Sequence, residues 1–298
     1  FALGHWYPIL AVYDERGWNL DPYWEEGESF YSECAFYDVT IMVPEGFMVA
    51  ATGSLREFRD LGKLWVYRWR ALKPLREFAW TSSKKYEVVK EEVRVEGSEV
   101  TAYSYFLPGH REGAEIALRT AAEALRVYSE LFGPYPYREL RVAEVYAGFE
   151  GMEYPTLAMI AAHVYSAGPR ELIELVVAHE VAHNWWYGIV GNHEGLEPFL
   201  DEALAEYSTM LYFERTYGEP AFERVFEKWA RAPCYRYLEE GVDYPLSSSL
   251  FDFGGDSRAY FVTIYCKGAM VVHMLRHVIG DEKFFELLRR IQEEYAFG

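Results

Sequence analysis

The chain has 298 residues, 51% of them hydrophobic and 26% charged, the balance of a folded protein with a sizeable core rather than a disordered one. Its 29 Lys and Arg against 47 Asp and Glu leave a formal charge of -18, which speaks against a broad phosphate-binding surface and so against a nucleic-acid partner. Cys34, Cys234 and Cys266 are odd in number and without CxxC spacing, and no apolar run reaches membrane-span length, so neither a disulfide framework nor membrane contact is expected of this chain.

Residues 7–13 read as an opening strand with no earlier strand to pair with. Dense β-branched and aromatic residues follow at 36–43, stopped by Pro44-Glu45-Gly46, then at 48–52, stopped by Gly53, and at 64–69. Runs at 86–96 and 99–106 flank Gly97-Ser98, a two-residue loop of hairpin type. Residues 1–106 are therefore expected to form a mostly antiparallel β-domain, incomplete at its start. The uncovered edge is expected to meet a missing segment or a second copy of the chain.

Pro108-Gly109 marks a change of character. Residues 112–132 are Ala- and Leu-rich with helical spacing and stop at Gly133-Pro134. Short β runs at 140–146 and 157–160 come next, then helical patterns at 170–187, 199–217, 221–230 and 261–278. The fold class is α+β, a β-rich part followed by a domain with a small sheet and a mostly helical remainder. The chain opens on Phe1 rather than Met and stops at Gly298 within a charged helical run, so both ends are expected to be cut from a longer protein.

Within the helix predicted at 170–187 stands His179-Glu180-Val181-Ala182-His183. Four residues advance a helix by about one turn, which puts both imidazoles on one face where they can grip one ion. Neutral imidazole suits zinc, and Glu180 beside the first ligand can reach a metal-bound water. Glu202, with eighteen residues between it and His183, is the candidate third ligand from the next helix. The competing reading is an apolar stripe of Leu172, Val176, His179, His183 and Trp186 with hydrogen-bonded core histidines. The five-residue pattern arises by chance in roughly a few per cent of chains of such composition, so the later carboxylate carries much of the weight.

The segment from His179 to Gly188, with Asp201-Glu202-Ala203 after it, resembles the gluzincin zinc peptidases of the aminopeptidase N family. Gly151-Met152-Glu153-Tyr154-Pro155 is similar to that family's exopeptidase motif. Tyr260 and Tyr265, followed by Lys267-Gly268, resemble its paired tyrosines. The resemblance implies that 1–106 is the later part of an N-terminal β-domain and 107–298 most of a thermolysin-like catalytic domain. Three positions depart from the family pattern: Tyr154 stands where the motif usually has Asn, and Asp201 and Ala203 flank Glu202 where Asn and Gly are usual.

What the resemblance implies is a zinc aminopeptidase acting on peptides with a free N-terminus, with one Zn2+ per chain on His179, His183 and Glu202. Glu180 would be the general base and Tyr265 the hydroxyl donor to the oxyanion. Glu153 would anchor the substrate ammonium, with Gly151 and Met152 offering backbone groups to an extended peptide. Glu206 is a candidate to orient a ligand histidine, as an exposed helix Glu is the alternative, and Tyr260 supports the tyrosine pair. His163, His193, His273 and His277 lack ligand spacing and read as structural or surface residues. Three other readings stay open: an endopeptidase, a hydrolase of another small substrate, or a non-catalytic zinc-binding fragment of the same fold.

Overall fold

The computed structural model describes residues 1–24 and 27–298. Its strands are β1 (Ala2–Leu3), β2 (Tyr13–Asp14), β3 (Gly17–Trp18), β4 (Asp38–Pro44), β5 (Met48–Ala51), β6 (Ser54–Asp60) and β7 (Leu64–Arg70). They continue with β8 (Trp80–Ser83), β9 (Glu87–Val95), β10 (Ser98–Phe106), β11 (Glu139–Val145), β12 (Gly151–Met152) and β13 (Leu157–Ala161). The helices are α1 (Arg111–Phe132), α2 (Ala162–Ala167), α3 (Arg170–Ala182), α4 (Glu202–Tyr217), α5 (Glu219–Phe226), α6 (Ala232–Glu239), α7 (Ser257–Phe261), α8 (Gly268–Ile279) and α9 (Asp281–Tyr295). The fold is α+β, with antiparallel sheets in its N-terminal part. No described helix is long and apolar enough to cross a membrane.

The chain divides into two compact units. The first takes in Phe1–Ile9 and Cys34–Asn184, the second Leu10–Glu33 and Trp185–Ala296. In the first unit, β4, β7 and β6 form one antiparallel sheet and β1, β8 and β5 another. Alternation along β4 turns Ile41 and Val43 inward, where they meet Val49, Tyr67, Trp69 and Phe78.

A five-stranded sheet in the order β12-β13-β11-β10-β9 completes the first unit. The β10–β11 and β11–β13 pairs are parallel, while β9–β10 and β12–β13 are antiparallel. Strands β11 and β13 are buried almost throughout, as the inner strands of a parallel sheet covered by helices require. The sheet draws β9 and β10, from before residue 107, together with strands from after it. Helix α1 covers β9 and β10 and packs against α3. It buries Ala114, Ala117, Ala121, Leu125, Tyr128 and Phe132, the three- and four-residue spacing of one helix face.

Two buried charges tie these layers. Glu144 of β11 accepts hydrogen bonds from the Leu107 amide and His110 Nδ1, each at 2.7 Å. Arg141 donates from Nη1 to the Gly53 carbonyl at 2.7 Å, pairs with Glu139, and lies 4.6 Å from the Trp69 ring centroid.

Several expectations need correction. Residues 7–12 form no strand: Pro8 has no N–H to give a ladder, and the Tyr7 hydroxyl instead meets the Tyr37 hydroxyl at 2.9 Å and the Phe78 amide at 3.3 Å. The β9–β10 turn is Glu96-Gly97 rather than Gly97-Ser98, with Val95 opposite Ser98. Both turn residues have positive φ, 39° and 81°, as the primed hairpin turn demands, so glycine occupies its second position. The helix predicted at 170–187 stops at Ala182, because the Asn184 amide and side chain both donate to the Val181 carbonyl at 3.1 Å and close the last turn.

In the second unit, α4 is buried on most of its circumference and α5 continues through a π-helical turn, Glu227–Arg231, into α6. The run predicted as one helix at 261–278 is α7, a second π-helical turn at Val262–Lys267, and α8. Gly268 permits a close crossing with α4, since a Cβ there would lie 2.5 Å from Ala203 Cβ.

Phe132 is fully buried at the end of α1 and stacks on Tyr128. Phe132→Ala is expected to lower the unfolding free energy by about 3–5 kcal/mol, read from the urea midpoint at unchanged slope.

Candidate active site

The first unit supplies the histidine pair. Helix α3 starts after Pro169 and sets Ile173, Val177 and Val181 into the core. The Tyr128 hydroxyl of α1 donates to the Ala178 carbonyl at 3.0 Å, fixing the helix one residue before His179. One turn apart, His179 and His183 bring their Nε2 atoms to 3.1 Å, with ring planes at 77°. Two nitrogens on a tetrahedral zinc, each at roughly 2.0–2.1 Å, stand about 3.3 Å apart, so this pair fits adjacent positions on one ion.

Glu180 lies against β12. A Cβ on Gly151 would sit 2.7 Å from Glu180 Cγ and closer still to the carboxylate, so any larger residue there would push Glu180 from this position. The backbone of Gly151 is one that any residue adopts; the missing Cβ is what the position requires. Gly151 and Met152 pair with Ile160 and Met159 of β13, and β12 is the edge strand of its sheet.

Glu153 follows directly. It is only 3% exposed, and its Oε1 has no hydrogen-bond partner among the described residues. Buried carboxylate oxygens are costly to leave unmatched, and such an atom calls for a cationic or donor ligand. Tyr154, the position departing from the family motif, is buried in an apolar cluster with Tyr86, Tyr105 and Met159.

Beyond His183, Asn184 does work that its place in the motif did not reveal. Its Oδ1 accepts from the Thr156 amide at 3.0 Å and the Tyr135 hydroxyl at 3.4 Å, while its Nδ2 holds Val181. It thereby joins the end of α3 to the turn that follows Glu153, where Thr156 has a φ of 65°. An amide is the one side chain that accepts and donates in this way. Its position directly after the second histidine was the available signal.

The second unit holds the remaining candidates. Glu202 opens α4, is 2% exposed, and accepts a hydrogen bond from the Tyr265 hydroxyl. Asp201 before it accepts from Asn192 Nδ2 at 3.1 Å. Tyr265 comes from the π-helical turn at Val262–Lys267 and meets Tyr260 edge to face at 5.7 Å. Burial, then the neighbouring Glu202 carboxylate, hold both phenols well above the usual tyrosine pKa, so both stay protonated donors. Lys267 reaches Asp243 and the Tyr244 carbonyl, which anchors the end of that turn. Glu206 is half-buried one turn beyond Glu202.

His193 and His273 take structural positions. His193 stacks on Tyr31 and lies 2.6 Å from Asn19 Nδ2, while His273 meets the Tyr207 hydroxyl at 3.0 Å. His163 and His277 are exposed.

The Peptidase family M1 domain matches residues 116–298, and the chain belongs to that family. Aminopeptidase B of Rattus norvegicus is 29% identical over 182 residues, covering 59% of this chain and 28% of its own length. Aminopeptidase O of Homo sapiens is 23% identical over 316 aligned positions, covering 95% of this chain and 38% of its own. An M1 zinc metallopeptidase from Deinococcus radiodurans shares the fold at a TM-score of 0.72 and 22% identity, over 89% of this chain and 58% of that one. A mutant of it bound to a Tyr-Ser-Ala substrate superposes at a TM-score of 0.68 with 21% identity, over 89% and 57% of the two chains. The chain thus spans well under half the length of the curated relatives it matches.

Replacing Asn184 by Ala strands the buried Thr156 amide. Asn184→Ala is expected to cost about 1–3 kcal/mol of stability, measured by denaturant unfolding.

Proposed function

We propose that this chain carries the catalytic site of a zinc aminopeptidase that removes the N-terminal residue from peptides with a free amine. The observation that carries this reading is Glu153, a buried carboxylate with an unmatched oxygen, one residue beyond the edge strand that lies on Glu180. Membership of peptidase family M1 and the fold shared with a substrate-bound metallopeptidase support it. The reading keeps 1–106 as part of an N-terminal β-domain and 107–298 as the catalytic domain.

In this reading His179, His183 and Glu202 are the three ligands of one zinc ion, a donor set that leaves a position open for water or substrate, as catalytic zinc sites do. Zinc, when bound, supplies Lewis acidity that polarises the scissile carbonyl and brings the pKa of a water toward neutrality. Glu180 takes the proton of the attacking water and returns it to the leaving amine. The Tyr265 phenol gives up its hydrogen bond to Glu202 and donates to the oxyanion of the tetrahedral intermediate. Tyr260 packs the Tyr265 ring in place, and Glu206 orients a ligand histidine.

Gly151 and Met152 offer the open edge of β12 to an extended peptide, and Glu153 pairs with its ammonium group. The carboxylate measures one residue from the chain end. An endopeptidase would leave Glu153 buried opposite no cation, which ranks that reading second.

Two experiments test the assignment. Glu153→Ala is expected to raise KM for leucine amide at least about 30-fold, the loss of a buried charge pair, with zinc content unchanged. Binding of N-acetyl-leucine amide, which has no ammonium, should stay within about twofold. Equal losses for both ligands would overturn the aminopeptidase reading. Tyr265→Phe is expected to retain zinc and lose about 100- to 1000-fold in kcat; near-normal turnover would remove Tyr265 from the reaction.

A further inference from the structure

The sheet-bound segment at residues 1–7 reaches Tyr154, the residue next to Glu153. Strand β1 pairs with β8, Ala2 opposite Thr81 and Leu3 opposite Trp80, and the Trp6 indole donates to the Phe78 carbonyl at 3.0 Å. Between those anchors, Gly4 lies under the Tyr154 ring. A Cβ on Gly4 would stand 2.9 Å from Tyr154 Cε1 and closer still to the hydroxyl. The Gly4 backbone is not left-handed, so glycine serves here by lacking a side chain. Next to it, His5 adopts a φ of 47° and holds its ring 5.7 Å from that of Tyr154, with Nε2 3.4 Å from a Glu77 carboxylate oxygen. A non-glycine residue in the left-handed region costs energy and persists only where surrounding contacts impose it.

On the far side of Tyr154 its carbonyl accepts from the Leu157 amide at 2.8 Å, and Asn184 Oδ1 holds the Thr156 amide in between. The turn carrying Glu153 is therefore gripped at two places, by Asn184 after it and by the Tyr154 ring clamped on Gly4 and His5. Glu153 itself makes no hydrogen bond through Oε1 that would fix its position.

We propose that Tyr154 is a positioning residue for amino-terminus recognition: its ring, seated on Gly4 and His5, sets where the Glu153 carboxylate stands. This rests on the aminopeptidase reading above and adds a specificity element to it. The N-terminal segment becomes part of how the enzyme selects a free amine. Displacing the ring moves an ammonium anchor without touching the groups that carry out hydrolysis, so affinity for free-amine ligands changes while the chemical step does not.

The test uses Gly4→Ala, whose new methyl drives the Tyr154 ring from its seat, and Tyr154→Asn, which removes the ring. Binding of leucine amide and N-acetyl-leucine amide is measured by calorimetry on the Glu180→Gln background, and KM and kcat for leucine amide on the parent enzyme. Each variant is expected to weaken leucine amide about tenfold in Kd and KM, a small displacement of a charged anchor, with kcat and the acetylated ligand within about twofold. Adding Gly4→Ala to Tyr154→Asn is expected to have no further effect, because the methyl then meets no ring. Unchanged leucine amide affinity in Gly4→Ala, equal loss for both ligands, or additive effects in the double variant would each overturn the proposal. Should Glu153→Ala itself fail to separate the two ligands, the aminopeptidase reading falls and this proposal with it. A Glu153 effect without a Gly4 effect removes this proposal alone.

Discussion

Imidazoles four residues apart can share an ion only while the chain between them is a single intact helical turn. In this protein that turn is the last of α3, where helices ordinarily fray. The Nε2 separation of 3.1 Å survives there because the turn is held on both sides. Tyr128 grips the Ala178 carbonyl just before His179, and Asn184 closes the turn just after His183. The first reaches back to α1, and the Oδ1 of Asn184, accepting from the Thr156 amide, ties the end of the helix across to that turn. The pair's geometry is therefore a property of the whole first unit rather than of the five-residue motif.

The overall charge of -18 describes solvent-facing residues for the most part, and the buried acids divide by partner. Glu144 is fully engaged with Leu107 and His110 and acts as a rivet between β11 and the start of α1. Glu202 meets a phenol held in its protonated form. Glu153 alone among these three keeps a carboxylate oxygen unmatched within the described residues. Folding bears the desolvation cost of that atom, and a ligand of opposite charge would recover it.

Much of this was legible in the sequence where a local rule operates alone. The face of α1, its Gly133-Pro134 stop and the histidine spacing follow from helical periodicity, Glu202 from its separation from His183, and β4, β7, β9 and β10 from β-branched and aromatic density between turn residues. Periodicity reports which residues face a core but is blind to where a helix ends when a side chain ends it, so Asn184 cut α3 short of residue 187. It is equally blind to π-helical turns, because one inserted residue leaves apolar composition unchanged. Residues 7–12 misled for a related reason: aromatic density suits a strand, yet Pro8 and the hydrogen-bonded Tyr7 hydroxyl satisfy that segment through side chains. The burial of Glu153 and the seat of Tyr154 on Gly4 depend on contacts across some 150 residues of chain, which no window of sequence contains.

The π-helical turn at Val262–Lys267 also carries an evolutionary consequence. An α-helix turns about 100° per residue, so the surplus residue rotates everything after it relative to an uninterrupted helix. Deletion of a single residue from this turn would be tolerated by helix propensity and would regularise the rod. It would also carry either Tyr265 or the Gly268 crossing with Ala203 around to another face, because both cannot keep their places on an unbroken helix. The irregularity is thus a phase shift between a chemical position and a packing position, and a change of length here would disturb both at once.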